Sequence, residues 1–317
     1  MFCRPTGKAA AMLATTVVIG ENLVDLLVHP DHLDGITGGG PLNVARTMAR
    51  LGSSASFLSG ISADAFGQRI RAELTADGVT LLVPTPSPLP TTMAVVTLGQ
   101  SGPSYHFHLA NTASFAIPDA DIESPAALYV GTLGLLIEPM ASIGERLFLA
   151  TPPATLTIVD PNCRPSATTD YDGYRARLQR MYARADVVKV SVEDLDYLAP
   201  GVAYEVAAQE ILAAGARLVL ITDGPDPVRA VHASYHVAVE VPPTEIVDTV
   251  GAGDSLTGGF ISWWLGNDYT PADLNDADLV TAALQGAIEI SRRTCQQAGA
   301  QPPRADDVRG LPAWAWL

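Results

Sequence analysis

The chain has 317 residues, of which 48% are hydrophobic and 17% are charged, so it holds enough apolar material for one large domain. Its formal net charge of −15 argues against nucleic acid and anionic membranes as partners, because both repel an acidic surface. Cys3, Cys163 and Cys295 are too widely spaced for a disulfide framework or a zinc site, which favours a reducing compartment such as the cytoplasm.

Residues 1–11 precede the first predicted strand, and we interpret them as a loose extension. Arg4 and Lys8 lie before apolar residues and give this stretch a faint likeness to a signal peptide, but a buried strand at 15–20 is the preferred interpretation. Met1 and Met12 both remain open as the start. No run approaches the roughly 18 uncharged apolar residues of a membrane span.

Short apolar runs alternate with helical patterns along the rest of the chain. The predicted strands are 15–20, 55–61, 127–133, 155–160, 186–191 and 217–222. The predicted helices, whose apolar residues recur at intervals of three and four, are 43–52, 66–78, 142–150, 174–184 and 204–216. Because parallel sheets are buried on both faces, this order predicts a single α/β domain over 1–317 with a mostly parallel central sheet and helices on both faces.

Two segments depart from that pattern, residues 21–40 and 84–115, which are rich in Pro, Gly, Thr and His. The second contains the alternating strand TTMAVVTLG followed by YHFHLA, and alternation predicts a half-exposed antiparallel sheet. We expect both segments to form a small β-lid over one end of the main sheet. His106 and His108 are a potential metal pair, but no third ligand has a suitable spacing, so contact with a ligand or a neighbouring subunit is preferred.

Residues 248–260 read DTVGAGDSLTGGF and run from a strand end through glycines into an apolar helix. The first N–H groups of a helix are unpaired donors at its positive end, so this turn has the form of an anion site. It is not a dinucleotide fingerprint, because Leu256 occupies the last glycine position of that pattern. From the residues alone, Asp254 also fits an ordinary acid in the first turn of a helix.

The whole stretch resembles the C-terminal signature of the ribokinase-like carbohydrate kinases, also called the phosphofructokinase B family. The resemblance implies a three-layer ribokinase-like fold in which Gly251, Ala252 and Gly253 bind the transferring phosphate. It also implies that Asp254 is the catalytic base that accepts the proton of a sugar hydroxyl. The amides would stabilise phosphoryl charge while the carboxylate activates the nucleophile beside it.

Further motifs follow in the order of that family. TGGGPLNVARTMARLG (37–52) resembles its N-terminal signature. GENLVDLL (20–27) contains Asp25 at the position where an aspartate of the family binds sugar hydroxyls. VDPNCRP (159–165) matches its D-x-N-x-R element. Strand ends such as the last are where ligands of open α/β sheets collect. The resemblance implies that Arg164 neutralises the transferring phosphate. The residues implied in substrate binding are Asp25, Gly38, Gly39, Asn43, Tyr105, Phe107, Asp160 and Asn162.

The nucleotide and metal motifs depart from the family pattern in detail. KVSVED (189–194) stands where the family has N-x-x-E, which orders magnesium through water, and a plain helix N-cap box is the alternative interpretation. ITDGPDPVR (221–229) resembles the T-x-G turn near the ATP phosphates, although its central Asp223 is unusual. The residues implied are Lys189, Ser191, Thr222 and Gly224 for ATP, Asp194 or Glu193 for Mg²⁺, and Asp248 with Thr249 for a monovalent cation such as K⁺.

Together the motifs cover residues 13–305 and imply an ATP-dependent kinase that phosphorylates a primary hydroxyl of a small sugar. GGGPLNVA, DPNCRP and Ser191 favour the fructokinase-like branch. The alternatives are a 2-keto-3-deoxygluconate kinase, a ribokinase or a nucleoside kinase and, outside enzymes, a sugar-binding regulator that has lost catalysis. An intact Asp254 argues against the regulator. Lids of this family often pair between subunits, so a homodimer through the lid is expected.

Overall fold

The computed structural model of the chain describes residues 15–99 and 102–317. Within these ranges the strands are β1 Thr16–Ile19, β2 Leu23–Val28, β3 Leu33–Gly38, β4 Ala55–Leu58, β5 Thr80–Leu81, β6 Met93–Gly99, β7 Gly102–His108, β8 Ala127–Gly131, β9 Leu156–Asp160, β10 Val187–Ser191, β11 Leu218–Thr222, β12 Val228–His232 and β13 His236–Val239. The α-helices are α1 Gly40–Arg50, α2 Ala65–Asp77, α3 Met140–Leu149, α4 Tyr171–Tyr182, α5 Val192–Leu198, α6 Tyr204–Ala213, α7 Ala252–Gly266, α8 Ala277–Cys295 and α9 Ala305–Val308. The loose extension predicted at 1–11 lies outside the described residues.

The main sheet has the strand order β13-β12-β11-β10-β9-β8-β1-β4-β5. Its pairs from β11 to β5 are parallel, whereas β12 and β13 add an antiparallel hairpin at one edge. The six predicted strands are all present, which confirms the mostly parallel α/β fold. The edge hairpin was not predicted, because His236 and Ala238 are exposed there and break the continuous apolar run by which buried strands are recognised.

The core lies on both faces of this sheet. Adjacent residues of β1 point to opposite sides, so Val18 packs in one cluster with α1, α7 and α8, and Ile19 packs in another with α3, α4 and α6. Helix α7 is buried from Asp254 to Trp264 between its neighbours, which explains why its sequence is apolar on every side. Among the described residues, no helix combines the length and the apolar character needed to cross a membrane.

The two lid segments form a separate four-stranded sheet of order β3-β2-β6-β7. Each segment folds as an antiparallel hairpin, as predicted, but the central pair β2–β6 is parallel, and there the antiparallel prediction was wrong. The two hairpins come from distant parts of the chain and lie side by side, so nothing in a local turn sets the direction of their pairing. Hereafter, "the lid" means these four strands.

Candidate active site

A cavity of about 510 Å³ lies between the lid and the carboxyl ends of the central parallel strands. That edge of an open α/β sheet is where ligands bind, because several strand ends meet there. The predicted site residues that line the cavity are Asp25, Gly39, Asn43, Tyr105, Phe107, Asn162, Arg164, Lys189, Thr249, Gly251, Ala252, Gly253 and Asp254. Residues separated by more than 200 positions in sequence therefore share one cavity.

The glycine turn before α7 is fixed by close packing. Gly251 is the N-cap with φ of 77°, and a Cβ on it would lie 2.5 Å from the Cβ of Ala300, so any larger residue is strained there. In the described part of the chain, the N–H groups of Gly251 and Gly253 donate no hydrogen bond, whereas that of Ala252 donates to the Thr249 carbonyl at 3.2 Å. Of the three predicted phosphate-binding amides, two are thus left without an internal partner.

Asp254 lies in the first turn of α7, and one of its two carboxylate oxygens accepts a side-chain hydrogen bond while the other accepts none among the described residues. Its Oδ2 accepts a hydrogen bond of 2.9 Å from Asn43 Nδ2. Its Oδ1 lies 3.1 Å from the position that a Cβ on Gly40 would occupy, so the glycine keeps this oxygen uncovered. Burial raises the pKa of Asp254, while the Asn43 hydrogen bond, Lys189 and Arg164 oppose that rise. A carboxylate with a raised pKa in a cavity wall is suited to accept a proton.

Asn43 was predicted to contact substrate, and in the structure its side chain also contacts Asp254. Its amide nitrogen is used by Asp254, and its Oδ1 is buried without a hydrogen-bond partner among the described residues. Asn43 lines the cavity, but this oxygen is itself buried from solvent.

Two cationic side chains, Arg164 and Lys189, line the cavity. Arg164 Nη1 donates to the backbone carbonyl and side-chain Oδ1 of Asn162 at 3.0 and 2.8 Å, which fixes the guanidinium beside the cavity. Lys189 is buried with its Nζ 3.4 Å from Asp160 Oδ2, and a Cβ on Gly253 would lie 3.0 Å from the same Nζ. Burial raises the pKa of Asp160 to about 7, although the nearby Lys189 opposes that rise.

The lid supplies the opposite wall. Asp25, Ala94 and Phe107 are register partners across three lid strands, so they share the face toward the cavity. Burial raises the pKa of Asp25 to about 6, against the effect of Arg164. A Cβ on Gly38 would collide with the Asp25 carboxylate, which explains the glycine, although Gly38 itself does not line the cavity. The rings of Tyr105 and Phe107 stack with their centroids 6.1 Å apart.

Glu21 and Thr132 are among the cavity residues that were not predicted from the sequence. The Glu21 carboxylate accepts hydrogen bonds of 3.2 Å from the N–H groups of Gly40 and Gly134, and burial raises its pKa to about 7. Thr132 has φ of 53°, and its Oγ1 accepts from Asn162 Nδ2 at 3.2 Å. Glu21 lies two residues after the carboxyl end of β1 and Thr132 directly after that of β8, and this position was a signal that could have identified them.

The residues predicted for Mg²⁺ are not brought into the cavity. Asp194 and Ser191 form the capping box of α5, and the two oxygens of Asp194 accept from the N–H groups of Ser191 at 2.8 Å and Cys163 at 2.6 Å. Glu193 is exposed. This geometry is the N-cap box that the sequence left open as an alternative.

The residues predicted around ATP and a monovalent cation are divided. Lys189 and Thr249 line the cavity, whereas Ser191, Thr222, Gly224 and Asp248 do not. Thr222 pairs with Ser191 at the carboxyl ends of β11 and β10, and Gly224 follows with φ of 51°. The Asp248 carboxylate accepts from the N–H groups of Val250 at 3.0 Å and Gly299 at 2.8 Å, so it ties the glycine turn to the loop after α8. Its predicted role with Thr249 in binding K⁺ stays a prediction.

Comparison with known proteins agrees with this geometry. The sequence profile described as pfkB family carbohydrate kinase matches residues 16–306. Fructokinase from Rhizobium leguminosarum bv. trifolii is 30% identical in an alignment of 306 positions that covers 93% of each protein. The crystal structure of Xylella fastidiosa fructokinase with bound ATP has a TM-score of 0.81 at 24% identity, covering 91% of this chain and 94% of that one. The Vibrio cholerae O395 fructokinase in its fructose, ADP and calcium ion bound form has a TM-score of 0.79 at 25% identity, covering 92% and 95%. The chain therefore belongs to the pfkB family of carbohydrate kinases.

Proposed function

We propose that this protein transfers the γ-phosphoryl group of ATP to a primary hydroxyl of a small, fructose-like sugar, with Asp254 as the base. The observation that carries the proposal is the position of the uncovered Asp254 Oδ1 beside the unpaired amides of Gly251 and Gly253. A proton acceptor and an anion site then lie within one turn of helix. That pairing serves phosphoryl transfer and has no use in a protein that only binds sugar.

In the proposed reaction, the sugar hydroxyl loses its proton to Asp254 while its oxygen attacks the γ-phosphorus in line, and ADP leaves. Negative charge on the transferring group is stabilised by the N–H groups of Gly251 and Gly253 and by the side chains of Arg164 and Lys189. These groups are oriented before substrate arrives, because Arg164 is held by Asn162 and Lys189 by Asp160. Catalysis then requires little reorganisation.

Mg²⁺ bound with ATP would supply further neutralisation of phosphate charge. Among the carboxylates near the transfer site, we propose Asp160 for this role, because neither of its oxygens has a hydrogen-bond partner among the described residues. Asp160 is fully buried, is ion-paired with Lys189 and does not line the cavity, so binding the ion would require its side chain to open toward the cavity. Mg²⁺ usually keeps several waters and takes one or two carboxylates together with substrate phosphates. Asp194 has both oxygens occupied by backbone N–H groups, so we propose that it orders the α5 terminus instead.

The fructose-like substrate is supported by the 30% identity to the Rhizobium fructokinase over nearly the whole of both proteins. On the sugar side, we propose that Asp25 accepts hydrogen bonds from sugar hydroxyls and that Asn43 lies beside the bound sugar. Tyr105 and Phe107 would pack on the sugar from the lid. Closure of the lid would exclude water and so prevent hydrolysis of ATP.

A coupled ADP-release assay tests the function. The substrates are fructose, ribose, ketodeoxygluconate, tagatose and nucleosides, and the key variant is Asp254→Asn. We expect turnover to be greatest with fructose or a similar ketose and to fall about 10²–10⁴-fold in the variant, the usual contribution of a general base. Asp276→Asn makes the same change at the N-cap of α8 and should retain activity. Turnover that survives Asp254→Asn would exclude this mechanism.

We also propose that two copies pair through the outer face of the lid. Leu26 and Val95 are register partners on the face opposite Asp25, and Leu33 is 59% exposed nearby. Exposed apolar side chains grouped on one face of a small sheet are suited to pack against the same face of a second copy. Sedimentation equilibrium should give a dimer that Leu33→Glu weakens, whereas Leu149→Glu, at another exposed leucine (41%) in α3, should not.

The remaining proposal concerns the compartment. Cys163 and Cys295 are both free thiols, and the first is buried. Burial raises the pKa of Cys163 above its ordinary range, so it is a poor nucleophile. Free thiols together with a need for ATP support a reducing, cytoplasmic setting.

A further inference from the structure

Two histidines and an aspartate meet at the tip of the lid hairpin between β2 and β3. The loop is closed by a hydrogen bond of 3.0 Å from the His29 N–H to the His32 carbonyl, and Pro30 within it restricts the backbone. Asp34 follows in β3. None of the three side chains lines the sugar cavity, so this cluster is separate from the proposed active site.

The spacing of the cluster is that of a metal site. His29 Nε2 and His32 Nε2 lie 3.3 and 3.4 Å from the same oxygen, Asp34 Oδ2. One ligand atom from each residue falls within 4.8 Å of the other two. In a tetrahedral zinc site with bonds of about 2.0–2.2 Å, ligand atoms are separated by about 3.3–3.6 Å. The two measured separations lie in that range.

The contacts between these atoms are not hydrogen bonds. His29 Nε2 is buried from solvent and has no hydrogen-bond partner in the described residues, although the Asp34 oxygen is only 3.3 Å away. A buried ring nitrogen without a partner is costly unless another group, such as an ion, uses its lone pair. The Asp34 carboxylate supplies the charged oxygen that such an ion would need.

Asp31 adds a second, independent feature. Its Oδ1 lies 2.8 Å from His32 Nδ1, the ring nitrogen that points away from Asp34. A histidine that binds metal commonly donates its other ring N–H to a carboxylate, which fixes the tautomer and leaves Nε2 with a lone pair. The pair Asp31–His32 has this arrangement.

We propose that His29, His32 and Asp34 bind a Zn²⁺ ion at the lid tip, with Asp31 as a positioning residue. Two imidazoles and one carboxylate suit zinc and other late first-row divalent ions, whereas Mg²⁺ and Ca²⁺ prefer oxygen ligands alone. The two rings are stacked 4.3 Å apart and parallel within 2°, so one must tilt for both lone pairs to meet the ion. The fourth position is left to water.

A bound ion would join the loop to β3, which is the edge strand of the lid. The hairpin would then be restrained at its free end, where Asp31, His32 and Leu33 are exposed. This effect does not depend on the kinase chemistry, and metal binding and sugar phosphorylation can fail separately.

The test is calorimetric titration of the untagged, EDTA-treated full chain with ZnCl₂. We expect one Zn²⁺ per chain, loss of that binding in the double variant His29→Ala/His32→Ala, and retention in His106→Ala/His108→Ala, the other histidine pair of the lid. Asp31→Asn should weaken binding about 10–100-fold, as loss of an outer-shell partner usually does. With Co²⁺ in place of Zn²⁺, absorption bands of a four-coordinate ion should appear only in chains that keep both loop histidines.

Each result decides the proposal. No stoichiometric binding by the wild-type chain would overturn it, and so would binding that persists in His29→Ala/His32→Ala. The unfolding temperature of each variant in EDTA shows whether the fold is intact. For a folded wild-type chain, added Zn²⁺ should raise that temperature by mass action, and the double variant should lose the rise.

Discussion

Asn43 donates a hydrogen bond of 2.9 Å to Asp254 across 211 positions of sequence, joining the first turns of α1 and α7. The contact commits one oxygen of the aspartate and leaves the other uncovered beside Gly40. It also opposes the rise in the pKa of Asp254 that burial causes. The position and the protonation of the proposed base therefore depend on the same side chain.

Replacing Asn43 by leucine should raise the pKa of Asp254, because a hydrogen bond to the ionised form is lost. A hydrogen bond to a charged group contributes about 1.5–3 kcal/mol, which corresponds to a shift of about one to two pH units. A base must be ionised to act, so the acid limb of the kcat profile should move to higher pH by this amount. The measurement is kcat against pH with saturating ATP and sugar.

Asn267→Leu is the matched control for that prediction. Asn267 caps the other end of α7 and donates to the Trp263 carbonyl at 2.8 Å, so its loss affects the helix without touching Asp254. Its pH profile should match that of the wild-type chain. An unchanged acid limb in Asn43→Leu would mean that Asp254 is not the titrating base.

Gly251→Ala should lower kcat about 10²–10³-fold, the usual cost of losing one donor to a developing anion. The new Cβ would lie 2.5 Å from the Cβ of Ala300, so the turn must move and its N–H groups with it. Gly78→Ala is a matched control, because Gly78 also has a positive φ but a Cβ there meets no atom within 4 Å. Equal losses of kcat in the two variants would show that backbone strain alone is responsible.

The sequence was sufficient for features that are local. Buried parallel strands appear as continuous apolar runs, and the glycine turn with Asp254 is contiguous, so both could be recognised without a structure. The pairing of Asn43 with Asp254 could not, because it depends on how two helices pack. For the same reason the parallel β2–β6 contact was missed.

Asp194 illustrates a different limit. Its place in KVSVED suggested a metal ligand, yet its oxygens are used by the N–H groups of Ser191 and Cys163. Whether an acid at a helix start caps that helix or binds a metal depends on which donors surround it. The oxygens of Asp160, at the carboxyl end of β9, accept no hydrogen bond among the described residues, and this carboxylate is paired with Lys189.

Lys189→Met should destabilise the fold by about 3–5 kcal/mol at pH 8, because it leaves the buried Asp160 carboxylate without its cation. Adding Asp160→Asn should recover much of the loss, since an amide carries no charge to bury. Activity should not recover in the double variant, because the proposed transfer site has lost two charged groups. Urea unfolding and ADP release measure the two effects. If the double variant is no more stable than Lys189→Met, the ion pair does not account for the loss.

The stability of the ligand-free chain should fall as pH rises from about 4.5 to 7. Burial raises the pKa of Glu21 from 4.5 to about 7, so across this window the folded state holds a proton that the unfolded state has released. Such a difference lowers the free energy of unfolding with rising pH, by roughly 3 kcal/mol in total for a shift of this size. Glu21→Gln should flatten the slope by about that amount in urea unfolding measured at several pH values.

Asp64→Asn provides the contrast. Hydrogen bonds from Thr91 and Gly67 outweigh burial and lower the pKa of Asp64 to about 2, so this group is ionised in both states above pH 4.5. The variant keeps a side chain that can cap α2, but it replaces the charged acceptor of the Gly67 and Thr91 hydrogen bonds by a neutral amide. It should therefore be less stable by about 1 kcal/mol at every pH in the window, with the slope unchanged. A slope that Glu21→Gln leaves unaltered would mean that its carboxylate is already ionised in the folded chain, held so by the N–H groups of Gly40 and Gly134.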